Sequence, residues 1–542
     1  MRGLMQDWPL LASKLLDHAN SWHGTRPIVT RSAEGPIVKS DYAGVYRRAK
    51  KVSNALVRAG ILHGERVATL GWNSARHLEA WYGIIGIGAV CHTLNPRLYA
   101  EHLIYIINHA ADRILLADTA CLPILTEILP HCPSIETVIF FSGRADFPQS
   151  PFPAHAFDDW IKDEPEDCVW GGFDENTACG LCYTSGTTGN PKGVLYSHRS
   201  NYLHALMTLQ NDALRLSARD CVLMIVPMYH ANAWGLVYSA PAVGAKLVLP
   251  GQKLDGASVY ELMEQEEVTF SSGVPTVWQM LLAHLRETKS RFSTLKRITV
   301  GGSACPESLI RTFHDDYGVE VIQGWGMTET SPLATVSVPN ARVATLSFDE
   351  QVAFSLKQGR LLAGLELKLV DETGARLPHD GRSVGRLKIK GATIAKGYFG
   401  GDGDEAFDPE GFLDTGDIAR IDHDGYMQIT DRAKDVIKSG GEWISSIEVE
   451  NIAMGHPKVA LAAVIGIAHP KWDERPLLII EPKKNEAPTK DEILLFLKDR
   501  IARWWMPDDV VFVEALALGS TGKLDKRYLR DRFKDHKIEP GS

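Results

Sequence analysis

Residues Cys179-Gly-Leu-Cys-Tyr-Thr-Ser-Gly-Thr-Thr-Gly-Asn-Pro-Lys-Gly193 run from an apolar stretch into a loop of glycines and small hydroxyl residues. The first five residues read as a buried strand. In the loop that follows, Gly186 and Gly189 let the backbone approach phosphate oxygens closely. The hydroxyls of Thr184, Ser185, Thr187 and Thr188 can add hydrogen bonds, and Lys192 adds a positive charge. A Walker A loop does not fit, because Pro191 precedes Lys192 and Gly193 follows it. P-loop kinases and ATPases are thereby disfavoured. Cys179 and Cys182 have the spacing of half a metal site, but no second pair accompanies them, so they read as two core thiols.

On either side of this segment, short β-rich runs alternate with helical stretches. The runs are Val67–Leu70, Arg113–Ala117, Val138–Phe141, Cys221–Val226, Lys246–Leu249, Val268–Phe270 and Arg297–Val300. Between Asp41 and Gly60, Tyr42, Val45, Tyr46, Ala49, Val52 and Leu56 recur at helical spacing. Continuous apolar strands alternating with helices predict mostly parallel sheets covered on both faces, with ligands at the carboxyl ends of the strands. From about Val384 the texture changes to short strands and Gly/Asp turns such as Asp422-His-Asp-Gly425. Beyond Asp431-Arg-Ala-Lys434 a compact α+β unit is expected, with capping boxes at Ser445–Glu448 and Thr489–Glu492 starting two helices.

The 542 residues allow three or four units of roughly 150 residues each. A hydrophobic share of 44% and a charged share of 23% are those of an ordinary globular chain. A net charge of −9 disfavours a general nucleic-acid binder, which needs a basic surface. Eight cysteines over this length make no disulfide framework, and a reducing compartment follows. The N-terminus shows no secretory pattern, and the apolar run Ala80–Cys91 is too short to span a bilayer, so a cytoplasmic protein with no integral membrane segment is expected.

As a full string, Thr184 to Gly193 resembles the phosphate-binding signature of the adenylate-forming (AMP-binding) superfamily. Further matches follow in order along the chain. Gln323-Gly-Trp-Gly-Met-Thr-Glu-Thr330 is similar to a second core motif of that superfamily. The resemblance implies that Trp325 stacks on adenine, Thr328 contacts phosphate and Glu329 binds Mg²⁺, with Gln323, Gly324, Gly326 and Met327 lining the nucleotide and Thr184 near the metal. A magnesium ion does want hard oxygen ligands beside the phosphates. Leu413-Asp-Thr-Gly-Asp417 resembles the ribose-binding segment, assigning Asp417 to the ribose hydroxyls with Ile429 nearby. Asp431-Arg-Ala-Lys-Asp-Val-Ile-Lys-Ser-Gly-Gly441 resembles the hinge motif, with Arg432 on ribose or phosphate and Lys434 as pivot.

Lys523, after Gly522, matches the late catalytic lysine. A cation there would offset the repulsion between a carboxylate and the α-phosphate. Ala517, Leu518 and Gly519 stand where the superfamily usually carries Pro-Arg-Thr, which puts the rigidity of that loop in doubt. On the acyl side, Pro227-Met-Tyr-His-Ala-Asn-Ala-Trp234 implies His230 beside the substrate carboxylate and Trp234 as the gate of an acyl tunnel. Gly301, Gly302, Ser303 and Ala304 would face adenine and the acyl group. Lys438, Ser439, Gly440, Gly441 and Trp443 would line the approach of coenzyme A.

The implied fold is α/β. Residues 1–431 form a large adenylation domain of two mostly parallel sheets flanked by helices, plus a small β-rich subdomain. Residues 432–434 are the hinge, and 435–542 form a small mobile α+β domain. The implied reaction is ATP-dependent ligation of a carboxylic acid to coenzyme A through an acyl-adenylate, giving AMP and pyrophosphate. Lys438-Ser-Gly-Gly-Glu-Trp-Ile-Ser-Ser446 and His469-Pro-Lys-Trp-Asp-Glu-Arg-Pro476 look like the medium- and long-chain fatty acyl-CoA synthetase branch. Most narrowly the chain is similar to bacterial 3-(methylthio)propanoate–CoA ligases, which act in dimethylsulfoniopropionate breakdown, so that acid or a short- to medium-chain fatty acid is the expected substrate, with a long-chain fatty acid as the alternative. A luciferase-like oxidase or a carrier-loading adenylation domain shares the nucleotide motifs, and a non-catalytic adenylate or acyl-CoA binder is the reading from another class. A homodimer is expected by analogy, with Trp8, Leu11, Leu15 and Trp22 offering apolar surface.

Overall fold

The computed structural model describes residues 1–542 except 2, 33–34, 185–189, 402, 440–441, 518–523 and 537–542, and the side chains of 404, 442 and 443. Two large sheets share one core. The seven-stranded sheet runs Ala154–Ala156, Thr137–Phe140, Ile114–Ala117, Arg66–Leu70, Val90–Leu94, Ala178–Tyr183, Gly193–Ser197. Every pair in it is parallel except the last. In the nine-stranded sheet, six neighbours in a row are parallel: Glu320–Gly326, Arg297–Val300, Phe270–Gly273, Cys221–Leu223, Lys246–Leu249 and Pro27–Arg31. Antiparallel strands Ile37–Asp41, Leu333–Val336 and Arg360–Leu361 finish its two edges. Strand Cys221–Leu223 ends short of the expected Val226, and the strand expected over 268–270 begins at Phe270 and runs on to Gly273.

The layering follows from the two-residue period of a strand. Ile28, Val67, Ile114, Leu116, Ile139 and Val222 face one shared core, built with the helices Ser13–His23, Tyr42–Arg58, Ala75–Gly86 and Leu236–Val243 between the sheets. Their neighbours face outward. Val29, Leu223, Val248 and Ile298 pack on Trp278 and Phe313, and Ala68, Leu70, Leu115 and Val138 pack on Leu103, Ile107 and Leu125. Five layers result. Helices Tyr42–Arg58 and Ala75–Gly86 meet at Gly83, where a Cβ would stand 2.7 Å from Val52. The apolar run Ala80–Cys91 is thus part of a buried helix and the start of strand Val90–Leu94. Among the described residues, no helix is long and apolar enough to cross a membrane.

Helix Ser13–His23 corrects one expectation. Its Leu15, with Leu11 just before it, is buried at 3% and 1% exposure, because Leu15, Leu16 and Ala19 form the stripe that packs inward. Exposed apolar surface at this end comes instead from Met1, Leu4, Met5, Trp8 and Trp22.

The β-rich unit is a five-stranded antiparallel sheet that begins at Leu365, earlier than the change of texture at Val384, and ends at Arg432. Past it, Val459–His469 and Asp473–Pro482 form a long hairpin joined by Asp509–Phe512 in parallel. Helices Ser446–Met454 and Lys490–Leu497 cover one face of this sheet, and Lys526–Phe533 covers the other. Thr489 closes a full capping box with Glu492. The cap at Ser445 differs: its hydroxyl accepts from the Glu448 N–H at 3.1 Å and donates to the Thr430 carbonyl, tying the helix to strand Met427–Arg432 of the β-rich unit.

Candidate active site

The loop after Tyr183 is the turn of an antiparallel pair, since Tyr183 lies opposite Gly193 and the Thr184 N–H donates to the Lys192 carbonyl at 2.9 Å. Ser185, Gly186, Thr187, Thr188 and Gly189 lie outside the described residues. The base of the loop is fixed from behind. Tyr183 donates to or accepts from His109 Nδ1 at 2.7 Å, and Phe399 stands against Gly193. The two thiols of the strand are buried and hydrogen-bonded, Cys182 with Thr93 at 3.1 Å and Cys179 with the Asn201 amide at 3.2 Å.

The second motif leaves strand Glu320–Gly326 and turns at Thr328–Thr330. Gln323 and Gly324 are buried within the sheet, Met327 and Thr328 are half-buried, and Glu329 is 6% exposed. Three residues that sequence reasoning missed hold this turn. Tyr196 donates to the Thr328 carbonyl at 2.7 Å, the Glu329 carbonyl accepts from the Ala395 N–H at 2.8 Å, and Tyr398 donates to Glu329 Oε1 at 2.8 Å. Lys192 lies over the ring of Tyr398 at 5.2 Å and pairs with Glu405 at 3.3 Å. Burial raises the Glu329 pKa, opposed by the Tyr398 hydroxyl and the charges of Arg432 and Lys192. Only the position of Tyr398, next to a glycine-rich turn, could have signalled it, and a tyrosine there reads equally as packing.

The ribose and hinge segments are neighbouring strands, with Asp417 paired opposite Arg432. Asp417 is buried; it accepts from Trp325 Nε1 at 3.0 Å and pairs with Arg432 at 2.8 Å. Ile429 lies in the same strand, its N–H on Gln358 at 2.6 Å. Thus Lys192, Trp325, Glu329, Asp417 and Arg432, spread over more than two hundred residues, converge at one place. Lys434 is exposed just beyond, and Lys523 lies outside the described residues, as do Leu518 and Gly519.

The acyl-side segment is set by Asn73, another residue the sequence did not mark. From the carboxyl end of strand Arg66–Leu70, its amide donates to the carbonyls of Met224 and Val226 at 2.7 and 2.8 Å. Its oxygen accepts from the Met228 N–H at 2.7 Å. One side chain thereby pins the end of a nine-sheet strand to the seven-sheet, directly before His230. His230 and Trp234 are half-buried, and the Trp234 ring stands against Gly301. Gly302 and Ser303 are exposed and Ala304 half-buried. In the small unit, Lys438 is exposed. Ser439 is buried: its hydroxyl accepts from Arg475 at 3.2 Å and its carbonyl from Trp504 at 3.3 Å. Its side chain therefore braces the segment rather than facing a ligand. Gly440, Gly441 and the side chain of Trp443 are outside the described set.

His204 supports the strand after the second motif, accepting from the Leu333 N–H at 3.0 Å as a neutral imidazole. Burial pulls its pKa from 6.5 to about 4. A base depressed in the folded state contributes stability above its unfolded pKa and loses it as pH falls toward the folded value. Between pH 6.5 and 4, His204 should cost about 3 kcal/mol of stability. Urea unfolding at pH 7 and 5 should show His204→Gln losing less between the two than the parent; equal losses would contradict this.

Residues 16–399 match the family "AMP-binding enzyme", and 448–523 match "AMP-binding enzyme C-terminal domain". A medium-chain-fatty-acid–CoA ligase of Ectopseudomonas oleovorans is 48% identical over 99% of this chain and 98% of that protein. A 3-methylmercaptopropionyl-CoA ligase of Ruegeria pomeroyi is 47% identical over 99% of each. Among solved structures, the anthranilate CoA ligase AuaEII in complex with anthranoyl-AMP superposes with a TM-score of 0.86 at 26% identity, covering 98% of this chain and 99% of that one.

Proposed function

The chain belongs to the AMP-binding enzyme family, and from that premise we propose that it is an AMP-forming acid–CoA ligase acting on a medium-chain fatty acid or 3-(methylthio)propanoate. The observation that carries this reading is the convergence of Lys192, Glu329, Asp417 and Arg432 on one site at the strand ends. Cations for phosphate, an acid for ribose hydroxyls and a buried carboxylate are what a nucleotide triphosphate requires there.

A divalent cation fits the donor set. Glu329 offers a buried carboxylate and Thr184 and Thr328 offer hydroxyls, all hard oxygens of the kind Mg²⁺ takes. Such an ion would neutralise the charge on the pyrophosphate as it leaves. Around it, Asp417 and Arg432 hold the ribose side while Trp325, fixed through its N–H, offers its ring to adenine. The substrate carboxylate, aligned by His230, displaces pyrophosphate from the α-phosphate. The resulting mixed anhydride is a far better electrophile than the free carboxylate, and thiol attack on it releases AMP. Excluding water from that anhydride is the structural requirement. We assign Lys523 to the first step, Lys434 to the turn between steps, and Lys438 to Trp443 to the thiol's approach.

With ATP and a suitable acid, pyrophosphate should appear in one equivalent per site, and multiple turnovers with AMP and acyl-CoA formation should require CoA, when C2 to C16 acids and 3-(methylthio)propanoate are compared. AMP formation without CoA consumption would favour the carrier-loading or oxidase alternatives. Nucleotide binding with no pyrophosphate from any acid would leave a non-catalytic binder.

A cytoplasmic setting accords with the eight unpaired cysteines. We also propose a homodimer through the exposed Met5, Trp8 and Trp22. Because Leu15, Leu16 and Ala19 are core, the test substitutes Trp22→Ser with Met5→Ser rather than deleting the segment. Sedimentation should then give the monomer mass; an unchanged dimer would place the interface elsewhere.

A further inference from the structure

Four successive residues with a Cβ, Ala231, Asn232, Ala233 and Trp234, hold positive φ angles of 40°, 61°, 51° and 54°, and Gly235 follows at 81°. Each carries a steric cost in this left-handed region, which residues other than glycine normally visit singly. Such a turn persists only where its surroundings over-determine it.

What determines it is polar and buried. Asn232, the one polar side chain in the turn, is fully buried and donates to Asn201 Oδ1 at 3.1 Å. Asn201, on helix His198–Thr208, donates in turn to Cys179 Sγ at 3.2 Å and to the Tyr238 hydroxyl at 3.3 Å. Trp81 donates to the same hydroxyl at 3.0 Å. The backbone of Ala231 and Asn232 also hydrogen-bonds the Cys182 thiol. Asparagine is moreover a side chain that tolerates the left-handed region. The next residue but one is Trp234. Its ring packs on Gly301 so closely that a Cβ on Gly301 would stand 3.1 Å from it.

We propose that Asn232 is a positioning residue that sets the acyl-chain specificity of the site, by locking the left-handed turn that places the Trp234 ring against Gly301. The proposal rests on the ligase reading and on Trp234 bordering the acyl pocket. The chemistry it discriminates is the length of an aliphatic carboxylic acid. If the Asn232–Asn201 bond is lost, the turn relaxes toward ordinary backbone conformations and the indole leaves its place. The nucleotide side, held by Tyr398, Asp417 and Arg432, is untouched.

The test compares the parent with Asn232→Ala and Asn201→Ala, using pyrophosphate release with C4, C8 and C12 acids. The KM for the preferred acid should rise about tenfold and the ranking of the three acids should change, with KM for ATP within about twofold of the parent. The double variant should be no worse than either single one. KM values for acid and ATP rising together, an equal loss across all three acids, or an unchanged ranking would each overturn the assignment. If Asn232→Ala does not fold, Asn201→Ala and Asn232→Gly, which keeps the left-handed freedom, decide it by the same criteria. If the parent releases no pyrophosphate with any acid, the ligase reading has failed. Asn232 is then judged on decanoate binding by calorimetry, where unchanged affinity in the variant overturns it.

Discussion

Lys523→Ala should abolish pyrophosphate release while leaving thioester formation from preformed acyl-adenylate and CoA near the parent rate. An ionised carboxylate and an α-phosphate are both anions, and their approach in the first step is repulsive. A lysine aimed between them stabilises charge that exists only in that transition state, so its loss should fall on kcat of adenylation, by about 10³-fold. In the second step the thiol attacks the acyl carbonyl carbon of the mixed anhydride, which carries no charge of its own, and AMP leaves with the phosphate charge, so no anion has to approach the phosphorus. The chain on the far side of Lys523 is firmly held: Lys526 pairs with Glu450 at 2.8 Å and donates to Ser446 at 2.6 Å. Assaying both half-reactions separately is the check, and equal losses in both would remove the assignment.

Glu329→Gln should lower adenylation by about 10²–10³-fold and raise the Mg²⁺ concentration needed for half-maximal rate. Glutamine keeps the size of the side chain and can still accept from Tyr398, so the turn at Thr328–Thr330 should survive. What disappears is a carboxylate whose pKa burial raises, with the Tyr398 hydroxyl and the charges of Arg432 and Lys192 opposing that rise. Calorimetric titration of ATP with and without Mg²⁺ gives a second readout, in which the metal-dependent part of the affinity should shrink. An unchanged Mg²⁺ requirement would mean that another group holds the ion.

Most of the architecture could be read in advance. The runs Val67–Leu70, Lys246–Leu249 and Arg297–Val300 are strands within a residue of their expected bounds, because a continuous apolar run of that length must be covered on both faces. The helix over 42–58 follows from its periodicity and from Asp41, which caps it by accepting from the Gly44 N–H at 2.7 Å. The surface assigned to Leu11 and Leu15 did not follow. Periodicity says that a helix has an apolar face, and only the packing of Ser13–His23 against the other helices says that this face is covered.

The loop Thr184 to Gly193 shows where local sequence suffices. Glycine spacing, hydroxyls and one lysine point to phosphate chemistry within ten residues, and the place of Pro191 disfavours the commoner loop. Those properties are local, so the chain alone determined them. Sequence order alone could not say that Lys192 would lie over Tyr398, that Tyr398 would hold Glu329, or that Asn73 would fix the segment before His230. Nor could it show that Ala231 to Trp234 wind left-handed, against the preference of the two alanines and the tryptophan. These contacts join residues far apart in the chain, and each is settled by which buried donors and acceptors remain to be satisfied once the two sheets have packed. Tertiary structure decided them for that reason.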